Sequence, residues 1–261
     1  MAETKNIKSL GKLVSVLDCF STTDRSLTVS KIAERAELPR STAHRAILAL
    51  KEVGFLEQDH TRDEYRLGLR LFQLGATVLN NMDLQRVAHP FVEALSALTG
   101  EGVHLCVFDG ERMVFVERST GGPTGPQNAT ITMEISPCYC TGVGKAALAF
   151  QSKADIDRVI AAGLMPFTRT TITDPARLHG ELDQIRARGY ALDLEEHKAN
   201  VNCVAAPIRN SSGRVFAAVS ASGSKKRLTE EALHNFAPYV VSHADAISRR
   251  LGYTPAPAGE D

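Results

Sequence analysis

Between Thr28 and Val53 the chain offers two short amphipathic helices separated by the dipeptide Leu38-Pro39, and no other feature constrains the fold so tightly. The proline ring disfavours the helical conformation at the preceding residue, so a helix opening at Thr28 must stop and a second must start near Arg40. In the first, Val29, Ile32, Ala33 and Ala36 face inward, with Ser30, Lys31 and Glu34 outward. In the second, Ala43, Ala46, Ile47 and Leu50 form one narrow apolar stripe; Ser41, Arg45, Ala49 and Glu52 point the other way, and Leu48 is a misfit near the polar side. Upstream, Val14, Leu17 and Phe20 recur at helical spacing from Lys8 to Phe20. Downstream, Gly54 closes the second helix, and Phe55 to Gln58 and Glu64 to Leu67 read as two short strands around the polar turn Asp59 to Asp63. Helix, turn, helix and hairpin make a winged helix-turn-helix, whose second helix enters a major groove by its N-terminal part.

That geometry selects the residues expected to meet double-stranded DNA. Arg40, Ser41, Thr42, His44 and Arg45 occupy the leading turn and a half. Arg45 can present its planar fork to the acceptors of guanine, and Ser41 and Thr42 can reach phosphate or a base edge. Thr28, Ser30 and Lys31 open the preceding helix and would hold backbone phosphate; Arg62 or Arg66 of the hairpin would lie along the neighbouring groove. Overall charge is uninformative, since 30 basic residues balance 30 acidic ones. Its distribution is informative: Pro39 to Lys51 carries Arg40, His44, Arg45 and Lys51 without an acid. The competing reading is a solvated basic face on a small helical domain.

At roughly 100 to 200 residues per domain, 261 residues suit two domains. Apolar runs such as Ala146 to Phe150 fall far short of the roughly 18 residues needed to span a bilayer, and no apolar signal core follows Met1 to Lys8; a cytoplasmic chain is expected. Five cysteines, an odd number scattered from Cys19 to Cys203, argue for reduced thiols. Leu69 to Met82 reads as a stiff helix leaving the hairpin. Beyond Asp83 come a helix over Leu84 to Leu98, strands over Val103 to Phe108 and Met113 to Glu117 joined at Asp109-Gly110, and a Gly/Pro-rich loop over Gly121 to Gln127. A short apolar helix follows at Gly144 to Gln151, and Asp174-Pro175 opens another that closes at Gly189. Strands over Asn202 to Ile208 and Arg214 to Ala221 and a helix over Leu228 to Leu251 complete an α+β domain, with a frayed tail from Pro255.

Thr141-Gly142-Val143-Gly144-Lys145 reads as a flexible turn opening onto a helix, where free N–H groups favour a small anion; a plain glycine turn with solvated Lys145 is the alternative. It is not a nucleotide P-loop, because Tyr139 and Ala146 stand where that motif needs Gly and Ser or Thr. Asp193, Glu195 and Glu196 beside His197, taken with Cys138, Cys140 and Cys203, lack zinc-finger spacing. Buried thiols and a solvated acidic loop are expected there, with no metal and no cofactor. An enzyme using Cys203 as nucleophile and His197 as base lacks an orienting partner. A DNA-architectural protein whose second domain only oligomerises is a further alternative.

Leu27 to Glu34, Leu38 to Arg45, Gly54-Phe55-Leu56 and Tyr65-Arg66-Leu67-Gly68 resemble the DNA-binding domain of the IclR family of bacterial transcriptional regulators. Gly142 to Ala146, Ile172-Thr173-Asp174, Arg188-Gly189-Tyr190, Asp193 to Glu196, Cys203 to Ile208 and Ser220 to Gly223 resemble successive signatures of its effector domain. The resemblance implies an α/β multidomain chain: a winged helix-turn-helix over 1–68, a linker helix over 69–82, a GAF-like effector-binding domain over 83–252 and a flexible tail over 253–261. It implies a homodimer or homotetramer on operator DNA beside catabolic genes. The implied effector is a small organic acid: a sugar acid, an aromatic acid or a short keto or semialdehyde acid. By motif, Gly142 and Val143 would contact it through main chain, Asp193 and Cys203 through side chains, and Ser220 and Ser222 through hydroxyls, with Tyr139, Cys140 and Thr141 alongside. Two departures stand out: the thiol-rich, aromatic stretch Pro137-Cys138-Tyr139-Cys140, and Asn200 where the family often has Gly.

Overall fold

Val16, Leu27, Ile32, Ala46, Ile47, Leu50, Leu56 and Tyr65 share one buried cluster, so the apolar stripes on either side of Leu38-Pro39 close on each other as their spacing requires. The computed structural model describes residues 2–21, 23–59, 63–80, 83–119 and 134–255. It divides into two compact units, Met1–Asn81 and Met82–Asp261. The first contains α1 (Ala2–Leu17), β1 (Leu27–Thr28), α2 (Val29–Arg35), α3 (Arg40–Glu52), β2 (Leu56–Asp59), β3 (Glu64–Leu67) and α4 (Leu69–Asn80). The Thr28 hydroxyl caps α2 by accepting from the Lys31 amide, Glu37 turns the chain with φ of 53°, and α3 starts directly after Pro39. Gly54, at φ of 76°, ends the helix. Gly68 is required by contact: a Cβ there would lie 2.3 Å from the Gly54 carbonyl oxygen.

Two details differ from the sequence expectation. The first helix runs over Ala2–Leu17 rather than from Lys8 to Phe20. The wing is a three-stranded sheet in the order β1-β3-β2, because Leu27 pairs with Tyr65 and Thr28 with Glu64. A two-residue strand has no alternation to read, and only its partner creates it.

The second unit contains α5 (Asp83–Thr99), β4 (Gly102–Phe108), β5 (Arg112–Ser119), β6 (Ile135–Pro137), α6 (Gly142–Leu148), α7 (Lys153–Ala161), α8 (Pro175–Arg188), β7 (Ala191–Leu194), β8 (Val201–Arg209), β9 (Val215–Ser224) and α9 (Glu230–Arg250). Its six strands run antiparallel in the order β6-β5-β4-β9-β8-β7. Alternation along β8 decides which helices lie on which face. Cys203 and Ala205 meet Gly142 of α6, so Val204, Ala206 and Ile208 point to the opposite face, where α9 packs on β8 and α5 on β4. Asp174 caps α8 and Gly189 closes it at φ of 84°, as the sequence predicts. The short β6 and β7 and the helix α7 were not foreseen, and α6 begins two residues earlier than expected. Tyr253, expected in the tail, is held: its amide donates to the Ser248 carbonyl at 2.9 Å and its ring lies 5.7 Å from the Arg209 guanidinium. The Gly121–Gln127 loop, the hairpin tip with Arg62, and the end of the tail fall outside the described residues. No helix among the described residues is long and apolar enough to cross a membrane.

Candidate functional site

The buried stripe of α3 fixes what its other side presents. Ala43, Ala46, Ile47 and Leu50 are inside, so Arg40, Ser41, His44 and Arg45 are exposed, Thr42 is half-buried, and Leu48 stands in solvent on the same outward side. Pro39 gives the helix no side-chain cap, and Arg40 and Arg45 have no carboxylate within ion-pair distance among the described residues. Ser30 and Lys31 are exposed at the start of α2, whereas the Thr28 hydroxyl is engaged by the cap. Arg66 is exposed but not free: its Nε and Nη2 donate to Glu57 at 3.2 and 3.1 Å, and Glu57 also accepts from the Leu69 amide. That pairing ties the wing to the first turn of α4.

In the second unit strand register gathers residues that are far apart in sequence. Asp193, Cys203, Ser222 and Gly102 are successive cross-strand partners on β7, β8, β9 and β4. Two residues along, Ala191, Ala205, Ser220, His104 and Arg118 form the next row on the same face. His104 had no signal of its own in the sequence; its place on the face follows from Cys106 two residues later. Burial, with Arg118 and Lys198 adding to it, pushes the His104 imidazole down to about 4, so it is neutral at physiological pH. Its ring stands edge-on to Phe115 at 5.4 Å.

Helix α6 closes over this face. A Cβ on Gly142 would lie 2.8 Å from Cys203 Sγ, and one on Gly144 would lie 2.4 Å from the Cys138 Cα. The two glycines are there for close packing rather than as a flexible turn, because α6 presses against both sheet and loop. Thr141 caps the helix by accepting from the Gly144 amide. Lys145, solvated in the plain-turn alternative, is 1% exposed; its ammonium meets Glu196 and lies 3.7 Å from Glu181, which also accepts from Arg188.

The acidic loop is likewise inside. Asp193 and Glu196 are buried, and Asp193 Oδ1 accepts from the Glu196 amide at 2.7 Å. Burial raises Asp193 to about 6 and Glu196 to about 7, and Lys145 opposes both shifts. Only Glu195 faces outward, bound to Lys225 and the Asn200 amide. Asn200 sits at φ of 63°, which explains why asparagine stands at a position that suits glycine. Tyr139 is buried, donates its hydroxyl to the Met165 carbonyl at 2.8 Å and lies near Phe167, which in turn contacts His197.

These motifs occur together in known proteins. Residues 9–60 match the IclR helix-turn-helix domain, and residues 76–249 match the C-terminal domain of IclR bacterial transcriptional regulators. The chain belongs to the IclR family. It is 31% identical to the HTH-type transcriptional regulator XynR of Escherichia coli (strain K12), over 95% of this chain and 98% of that one. It is 32% identical to the HTH-type transcriptional repressor AllR of the same strain, over 97% and 93% of the two chains. Among solved structures, an IclR homolog from Microbacterium hydrocarbonoxydans complexed with 4-hydroxybenzoate superposes with a TM-score of 0.71 at 29% identity, covering 93% of this chain and 98% of that one.

As an IclR-family protein the chain is a DNA-binding transcriptional regulator and not an enzyme. The thiols agree with that assignment. Burial pushes Cys203 and Cys138 up to about 12 and raises Cys140 further, so none is a thiolate nucleophile at neutral pH.

Proposed function

We propose that this IclR-family regulator binds operator DNA as a homodimer or homotetramer and that a small organic acid, held in the second unit, sets its affinity. One observation carries the reading: the same chain joins an exposed cationic face on α3 to a buried polar row closed by α6. On DNA, Arg45 takes a base edge, Ser41 and Thr42 take a base edge or phosphate, and Arg40 and His44 flank them. Ser30 and Lys31 position the backbone. Thr28 acts through its cap, and Arg66 reaches a groove only by leaving Glu57. Arg62 completes the wing contact. Residues 1–68 recognise DNA, 69–82 transmit, and 83–252 sense, with the tail following Tyr253, which the Ser248 carbonyl holds.

In the sensing unit the amides of Gly142 and Val143 and the hydroxyls of Ser220 and Ser222 donate to the acid, and Asp193 accepts from its hydroxyl or protonated group. Cys203 lines the row, while Tyr139, Cys140 and Thr141 shape the wall beside α6. The Microbacterium hydrocarbonoxydans relative, complexed with 4-hydroxybenzoate, supports an aromatic acid within the class that also includes sugar acids and short keto or semialdehyde acids. The effector acts only through its difference in affinity between the two shapes of the oligomer, and its genes are catabolic ones. The protein acts in the cytoplasm.

Fluorescence anisotropy with the DNA flanking its own gene tests the reading. At low salt the full chain should bind that DNA, and one acid of the three classes should shift the midpoint by roughly 5- to 150-fold. Absence of binding, or a midpoint that no acid moves, would overturn it.

A further inference from the structure

His89 and Glu93 lie one turn apart on α5, and Glu117 meets them from β5. Residues four apart share a helix face, so both helix side chains address the same point. His89 Nδ1 is 2.5 Å from Glu117 Oε1, and one donor atom from each of the three residues lies within 4.8 Å of the others. Among the described residues this is where three side chains of metal-binding type converge; the cysteines and the acidic loop do not form such a group.

The three residues differ in a way that matters. His89 and Glu93 are exposed, so solvent can complete a coordination shell. The Glu117 side chain is only 10% exposed, and its Oε2 is buried without a hydrogen-bond partner among the described residues. A buried carboxylate oxygen that accepts nothing is strongly disfavoured unless something positive meets it. The His89 bond satisfies Oε1 and leaves Oε2 unsatisfied, and a cation between the three groups would place positive charge beside the same carboxylate.

We propose that His89, Glu93 and Glu117 form a binding site for one divalent transition-metal ion of the zinc type, held by an imidazole nitrogen and two carboxylates with water in the open position. Imidazole in the donor set selects zinc, cobalt or nickel over magnesium and calcium, which take oxygen donors. The site shares no residue with the polar row under α6. Its ion clamps α5 to β5 and therefore stabilises the second unit, since a ligand that binds only the folded state raises its melting temperature.

Titration of the metal-stripped full-length chain with Co2+ tests this. The site should give the weak visible bands of a nitrogen–oxygen environment without the intense near-ultraviolet band of a thiolate, and should raise the melting temperature. His89→Asn and Glu93→Gln should each weaken Co2+ binding by about tenfold or more; in Glu93→Gln the metal-free melting temperature should stay near that of the unaltered chain, whereas His89→Asn also removes the hydrogen bond to the buried Glu117 carboxylate and should lower it. Three results would overturn the assignment: a spectrum identical to the aqueous ion with no thermal shift, unchanged affinity in both variants, or a thiolate band that places the ion on the cysteines.

Discussion

Lys145 shows how much one side chain can change its meaning with its surroundings. Its ammonium is almost wholly buried against Glu196 and near Glu181. Desolvating such a pair offsets most of its Coulomb attraction, so its worth appears when one member is removed. Lys145→Met should therefore destabilise the chain by about 3–5 kcal/mol in urea denaturation, and pairing it with Glu196→Leu should recover most of that loss; a double variant no better than the single one would refute the coupling. Asp193 carries a pH signature. In the unfolded chain its pKa is the ordinary 3.8, and in the folded chain it is raised to about 6. Between those values the folded state holds the extra proton, so the Asp193 contribution to stability falls as pH rises through the window. Glu196, raised to about 7, has the same sign. Stability measured from pH 4 to 7 should decline less steeply in Asp193→Asn than in the unaltered chain, and equal slopes would remove Asp193 from that role.

At the scale of elements, two helices are placed by opposite means. Helix α3 is placed by its stripe, which leaves Arg45 outward without a carboxylate partner among the described residues. Arg45→Ala should cost about 1–3 kcal/mol of specific binding and relax discrimination at one operator position. Retained discrimination in a gel-shift competition with mutated sites would assign Arg45 to phosphate instead. Helix α6 is placed by absence of side chains. At Gly144 an added methyl meets the Cys138 backbone, which cannot rotate away; at Gly142 it meets mainly the Cys203 thiol. Gly144→Ala should thus destabilise by more than the usual overpacking cost of about 1–3 kcal/mol. Gly142→Ala should cost less and be rescued by Cys203→Ala. Thermal denaturation of the four chains orders these effects, and a milder Gly144 variant would contradict the packing account.

For the whole molecule, zero formal charge coexists with DNA binding because affinity follows the local density of cations at the phosphates rather than the total. In the proposed function sensing and DNA recognition belong to different units, so they should separate genetically. Ser222→Ala should raise the effector concentration needed for half-response while leaving effector-free DNA affinity within about twofold, since a lost hydrogen bond is worth about 1 kcal/mol to the ligand. An unchanged dose curve would dismiss the role of Ser222, and lost DNA binding would show that the two units are not separable.

Much of this was open to the sequence. Pro39, the stripe of Ala43, Ala46, Ile47 and Leu50, Gly54, and the Asp174-Pro175 and Gly189 boundaries act through neighbours within a turn or two, and local rules of backbone and periodicity decide them. The sequence also marked Asp193, Cys203, Ser220 and Ser222, although only by family motif. Tertiary structure alone set those residues in register, buried Lys145 and Glu196 together, gave Arg66 to Glu57, and brought Glu117 to His89 and Glu93. Each of those outcomes depends on contacts between residues distant in the chain, where burial and strand register, not local pattern, determine what a charged side chain meets.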